Sequence, residues 1–159
     1  MLRLSKETDY GIVILTYLAT TPDDEALSSA RDVADEVNLP LPMVKKVLKD
    51  LMGSGLLDSH RGVHGGYRLA RSPNGISVAD VIDALEGPLG LTECTGEAPD
   101  DCNIVEVCQV RGNWELVNRA IRQALTKITL THMAGSVPRP LLSSVGGAPL
   151  WPAGGRPQD

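Results

Sequence analysis

The sequence predicts a mainly α fold with a small β wing, followed by a long helix. Three observations carry this expectation. Three amphipathic helical patterns precede Gly55, separated by short breaks. The glycine-rich stretch "RGVHGGYRLA" reads as the tip and return of a hairpin. Farther on, Trp114, Val117, Ile121, Ala124 and Ile128 recur at alternating spacings of three and four, as in a coiled-coil seam.

Each element has a local justification. Ser5 is placed to cap a first helix, where Tyr10, Val13, Ile14, Tyr17 and Leu18 follow the spacing of one buried face. "TTPDDEA" ends it. A second helix opens at Ser28 or Ser29, with Ala30, Val33, Ala34 and Val37 inward. "NLPLP" then forces a tight break, because a proline pushes the residue before it out of helical space. A third helix from about Pro42 turns Val44, Val47, Leu48 and Leu51 inward and Lys45, Lys46 and Lys49 outward, and "GSG" stops it. "LLDSHR" and "YRLA" form the hairpin. Ser77 with Asp80 resembles a capping box for a fourth helix, which buries Val78, Val81, Ile82 and Leu85 and ends at Gly87-Pro88. The long helix is expected from about Asn103 towards His132. From Gly135 onward, Pro, Gly and Ser dominate, and the expectation is a disordered tail.

Composition agrees with helix packing. Of 159 residues, 42% are hydrophobic but only 3% aromatic, with no Phe, so the core is aliphatic. The net charge of -5 taken alone argues against a nucleic-acid partner. Its distribution argues the other way. Between Leu41 and Arg71 six basic residues face two acids; between Ser72 and Val110 there are eight acids and no Lys or Arg. "IVILTYLA" is preceded by Glu7 and Asp9 and followed by no cleavage motif, and nothing approaches the ~20 apolar residues of a membrane span. A cytoplasmic protein without a membrane partner is expected.

Two helices, a sharp turn, a third helix with a basic face and a glycine-tipped hairpin together describe a winged helix-turn-helix. The plainer alternative is a small helical domain with solvated lysines, which needs all these features to coincide by chance. The expected interface with double-stranded DNA comprises Pro42, Lys45, Lys46 and Lys49 on the third helix, and His60, Arg61 and His64 in the wing. The histidines serve as phosphate contacts or are merely exposed. Tyr67 is expected to pack the wing on the core, and His132 to be inert.

All three cysteines, Cys94, Cys102 and Cys108, fall in "CTGEAPDDCNIVEVC". Soft thiolates select iron–sulfur clusters, zinc or copper(I). The wide gaps fit zinc knuckles poorly. Cys108 could instead pack as a small apolar residue. Cys94 and Cys102 lie among Gly, Pro and Asp, where burial is not expected. A thiol enzyme lacks a base, since no histidine lies near the cysteines in sequence, and no enzymatic activity is expected.

The opening "MLRLSKETDYGIVILTYLA", the hairpin "RGVHGGYRLA", the helix "ISVADVIDALEG" and the three-cysteine loop before a long helix resemble the Rrf2 family of dimeric winged-helix transcriptional regulators. The resemblance runs from Met1 to about Ala134. The opening is most similar to regulators of the SUF cluster-assembly operon. The resemblance implies a sensory iron–sulfur cluster, 2Fe-2S or 4Fe-4S, on Cys94, Cys102 and Cys108. It also implies a homodimer through the long helices (Trp114, Val117, Ile121, Ala124, Ile128) and a wing arginine in the minor groove. Some members place a histidine three residues past the third cysteine as fourth ligand; here that residue is Arg111, which cannot ligate. Others use an acidic residue near the start of the first helix, reaching across the dimer. Asp9 stands there, with Glu7 as runner-up. Both acids also suit a helix N-terminus on their own, at ~0.3–1 kcal/mol. "PLPMVKK" departs from the third-helix start of better-known members, so their operator does not transfer.

The expected organisation is a winged helix-turn-helix over residues 1–88, a cluster-binding loop over 89–103, a dimerisation helix over 104–134 and a tail over 135–159. The expected function is a repressor that senses iron–sulfur status and controls a cluster-assembly operon. The alternatives are a nitric-oxide or redox-sensing repressor and a zinc-stabilised interaction module.

Overall fold

A computed structural model of the chain describes residues 3–21, 27–62, 64–95, 102, 104 and 106–135. The expected disordered tail beyond residue 135 lies outside the described residues.

Helix α1 spans Lys6–Thr20; Ser5 caps it, its Oγ accepting from the Thr8 N–H at 3.1 Å. The buried face is Thr8, Gly11, Ile14, Leu15 and Leu18. Expectation and structure differ here. Val13 is exposed and Tyr10 only half-buried, because α1 turns the glycine at position 11 towards α4. A Cβ at Gly11 would meet Leu85 Cδ1 at 2.4 Å, so the lack of a side chain lets the two helices approach.

Helix α2 (Ala30–Glu36) opens with a capping box between Ser29 and Asp32. It ends through Asn38, whose φ of 52° is left-handed, while the Leu39 N–H returns to the Ala34 carbonyl at 3.0 Å. The break thus rests on Asn38 as well as on the prolines. Pro40 then stands at the N-cap of α3 (Leu41–Gly53). Val44, Val47, Leu48 and Leu51 of α3 are fully buried, as their spacing predicts.

Strands β1 (Leu57–His60) and β2 (Gly66–Leu69) pair antiparallel, with Leu57 opposite Leu69 and His60 opposite Gly66. Ser28 adds a short third edge: its N–H donates to the Tyr67 carbonyl at 3.0 Å and its carbonyl accepts from the Tyr67 N–H at 2.8 Å. Helix α4 (Val78–Glu86) begins with the Ser77–Asp80 capping box.

The long helix is shorter than expected and divided. Helix α5 runs Arg111–Thr126, and a separate α6 runs Leu130–Gly135. The residues between them pair instead with the start of α4. The Val78 N–H donates to the Ile128 carbonyl at 2.8 Å, and the Leu130 N–H to the Ile76 carbonyl at 2.9 Å. This bridge uses backbone groups that a continuous helix would need. Leu130 is thereby fully buried in the core, and α6 packs on α1. At the other end, Val107 and Val110 bring β-branched side chains to the turns before α5. Cys108 therefore precedes the helix, and Ile128 lies beyond it.

Candidate functional site

The helix-turn-helix face is built from α2, the Asn38 turn and α3. Burial of Val44, Val47, Leu48 and Leu51 fixes the rotation of α3, so Pro42, Lys45, Lys46 and Lys49 are all exposed on its outer side. The wing is fastened to the end of this helix: the Leu56 N–H donates to the Leu51 carbonyl at 3.0 Å, and Ser59 Oγ lies 3.1 Å from Met52 Sδ. His60, Arg61 and His64 are exposed at the wing tip. Gly62 there has φ 129°, a backbone conformation that L side chains rarely adopt. Gly66 sits so close to the Ser28 backbone that a Cβ would fall 2.7 Å from it. Tyr67 packs the wing on the core, as expected.

Lys46 differs from the other two lysines. Its ammonium is ion-paired with Glu7 of α1. Hydrogen bonding to Glu7 is the main cause that raises the Lys46 pKa above its ordinary value. Among the described residues, no carboxylate is ion-paired with Lys45 or Lys49. Sequence reasoning treated Glu7 as a ligand candidate and missed this pair, because no local spacing links α1 to α3.

The first turn of α1 is anchored from the opposite side too. Glu86 Oε1 accepts from the Ser5 N–H at 2.7 Å and from Thr8 Oγ1 at 2.6 Å. Burial pushes the Glu86 carboxyl up, but these hydrogen bonds together hold it below its ordinary value. Asp9 lies on this anchored turn and is exposed.

The cysteines leave α4 through Gly87. Cys94 lies on a single 3-10 turn, Glu93–Thr95, and is 8% exposed, against the expectation that its polar neighbours would keep it in water. The turn packs against α5, and Thr92 Oγ1 lies 3.2 Å from Cys94 Sγ. Asn118 of α5 helps seat this segment: its Nδ2 donates to the Leu89 carbonyl at 2.9 Å, while its buried Oδ1 has no protein partner. Cys102 and Cys108 are half-buried, and all three thiols are free of disulfides. As a donor set, three free thiols suit an iron–sulfur cluster. Among the described residues, no three His, Cys, Asp or Glu side chains already converge on a point that could hold a metal ion. Arg111 is ion-paired with Glu115 at 3.2 Å, one helical turn along α5.

Of the expected seam, Trp114, Val117 and Ala124 are exposed on α5, and Ile121 is half-buried. Ile128 is also exposed but belongs to the bridge rather than the helix. Arg122 pairs with Asp83 of α4 through both guanidinium nitrogens, holding α5 to the winged domain. The His132 Nδ1 accepts from the Thr129 N–H at 3.1 Å at the start of α6.

Residues 4–136 match the model of the Rrf2 family, described as iron-dependent transcriptional regulators. The chain belongs to the Rrf2 family. It is 33% identical over 132 residues to the HTH-type transcriptional regulator NsrR of Halalkalibacterium halodurans, covering 83% of this chain and 90% of the relative. The solved structure of CymR (YrzC), the global cysteine regulator of B. subtilis, superposes with TM-score 0.67 at 29% identity, covering 87% of this chain and all of CymR. T. potens IscR superposes with TM-score 0.64 at 29% identity, covering 87% and 90% of the two chains. This Rrf2 protein is therefore a DNA-binding transcriptional regulator with a winged-helix fold, and its relatives are regulators rather than enzymes. Among the described residues no helix is long and apolar enough to cross a membrane.

Proposed function

We propose that this Rrf2 regulator is a homodimeric repressor that reports iron–sulfur status through a cluster held by Cys94, Cys102 and Cys108, with Asp9 of the second subunit as fourth ligand. The observation that carries the reading is that three free thiols occupy the segment joining α4 to α5. That segment links the winged domain to the helix with the exposed apolar face, so a group bound to it acts on the same junction that the Arg122–Asp83 pair holds. A bound cluster supplies a centre whose integrity depends on iron, oxygen or nitric oxide. The residues of the chain do the rest: drawing Cys102 and Cys108 towards the buried Cys94 restrains the start of α5 relative to α4. Occupancy shifts DNA affinity only as far as it favours one setting of the two winged domains over the other. Pro42, Lys45, Lys46, Lys49 and the wing residues His60, Arg61 and His64 are the proposed DNA contacts, and an operon for cluster assembly is the proposed target.

The test is anaerobic purification with visible spectroscopy and iron and sulfide analysis. Brown protein with matching iron and sulfide supports the reading. A second reading, a zinc-stabilised interaction module, rests on the same three free thiols, since thiolates also select zinc. It expects colourless protein with stoichiometric zinc. If colour appears and is bleached by nitric oxide at substoichiometric dose, with release from DNA, the nitric-oxide alternative replaces iron–sulfur status as the signal.

A further inference from the structure

The Glu7–Lys46 pair joins α1 to the outer face of α3, and nothing in the packing requires it. Lys46 keeps 54% of its side-chain surface in contact with solvent and Glu7 36%. An exposed pair of this kind adds little to stability. The pair is nonetheless set in a rigid frame. Glu7 adjoins Thr8, which is fully buried and bonded to Glu86, and the same turn is capped by Ser5. Lys46 adjoins Val47, fully buried in the core. Neither backbone can drift away, so the carboxylate is always within reach of the ammonium.

Its consequence is electrostatic. Phosphate contacts by Lys and Arg supply the sequence-independent part of DNA affinity, each releasing condensed counterions. A lysine already neutralised by a carboxylate has less to offer, and the carboxylate itself repels phosphates.

We propose that Glu7 is an intramolecular competitor of DNA for Lys46, lowering the affinity of the regulator by withholding one of three lysines on the exposed face of α3. The proposal rests on the reading that this face meets DNA. Lys45 and Lys49 then supply the standing attraction. Lys46 joins them only when a phosphate displaces Glu7, and Glu7 thereby limits binding to DNA at large.

The experiment uses the full chain and a fluorescently labelled mixed-sequence duplex long enough to span two half-sites, titrated over a series of salt concentrations. Four proteins are compared: wild type, Glu7→Gln, Lys46→Met and the double variant, each checked for an unchanged circular-dichroism melt. Glu7→Gln is expected to bind several-fold tighter at low salt. Its slope of log affinity against log salt should steepen by up to about 0.9 per subunit. Lys46→Met should bind more weakly, and adding Glu7→Gln to it should recover less than half of the single-variant gain. Unchanged or weaker binding by Glu7→Gln, with Lys46→Met still defective, overturns the competitor role and makes Glu7 neutral or a guide for Lys46. An equal gain with and without Lys46 assigns the effect to general charge and also overturns it. If Lys46→Met and a Lys45→Met/Lys49→Met variant both bind like wild type, the DNA-facing reading of α3 has failed, and the proposal with it.

Discussion

Thr8 Oγ1 donates to Glu86 Oε1 at 2.6 Å, tying the first turn of α1 to the last residue of α4. Thr8 is fully buried, so valine fits its volume but leaves Glu86 without this donor. Thr8→Val should cost about 1–2 kcal/mol, read from denaturant midpoints. Glu86 also makes stability depend on pH. Its folded pKa lies below the ordinary 4.5. Its contribution is therefore fully present above that value and is lost as pH falls through the folded pKa. In Glu86→Gln the acid limb of the stability curve should flatten between neutral pH and the acid transition. An unchanged limb would assign the clamp no role.

Gly66→Ala should damage the wing selectively. The new Cβ would lie 2.7 Å from the Ser28 backbone, which cannot retreat without breaking its two hydrogen bonds to Tyr67. A loss of about 1–3 kcal/mol is expected, as for other overpacked sites, together with weakened DNA binding in fluorescence anisotropy. Gly75→Ala, with open space around it, is the control and should change neither.

Val117 and Ile121 should respond differently to charge. Val117 is exposed in the single subunit, whereas Ile121 is half-buried against its own domain. Val117→Glu should give folded monomers by light scattering, since the charge would be unpaired only at a subunit interface. Ile121→Glu should also lower the melting temperature. A stable Val117→Glu dimer would remove this face from the interface.

Cys94→Ala, Cys102→Ala and Cys108→Ala should each abolish visible absorbance in folded protein. Full retention of iron in the Cys102 variant would exclude that residue as a ligand. Asp9→Ala should alter the spectrum without bleaching it, because a carboxylate oxygen is the hardest of the four donors and water can replace it. Ligation across the dimer is tested with mixed dimers, one subunit carrying Asp9→Ala and the other lacking all three cysteines. A wild-type-like spectrum at half occupancy supports it; the Asp9→Ala spectrum refutes it.

What could be read before any coordinates were known was local. The capping boxes at Ser29 and Ser77 span three residues, and the buried face of α3 repeats every helical turn, so both follow from neighbouring residues. The wing was legible from its glycines, although the contact between Gly66 and Ser28 was not. The misses all depend on distant partners. Apolar spacing places Val13 inward, because it does not show that Gly11 sets the approach of α1 to α4. It also runs the long helix through Ile128, because nothing near that residue announces its pairing with Ile76–Val78. The polar sequence neighbours of Cys94 place it in water, whereas its turn packs against α5. The position of Glu7 in the sequence suggests a ligand and gives no sign of Lys46.

The pairing of residues 128–130 with residues 76–78 has a mechanical meaning for α5. One end of the helix is pinned at that bridge, beside the fully buried Leu130. The other end starts just after Cys108. Between these ends α5 is also held by Asn118 on the Leu89 carbonyl and by Arg122 on Asp83, so a displacement where the cysteines lie reaches the apolar face carrying Trp114 and Val117 only through those two contacts. The same bridge sets where the chain can be cut: ending it after Gly135 spares the pairing, whereas ending it before Thr129 removes it and opens the core around Leu130.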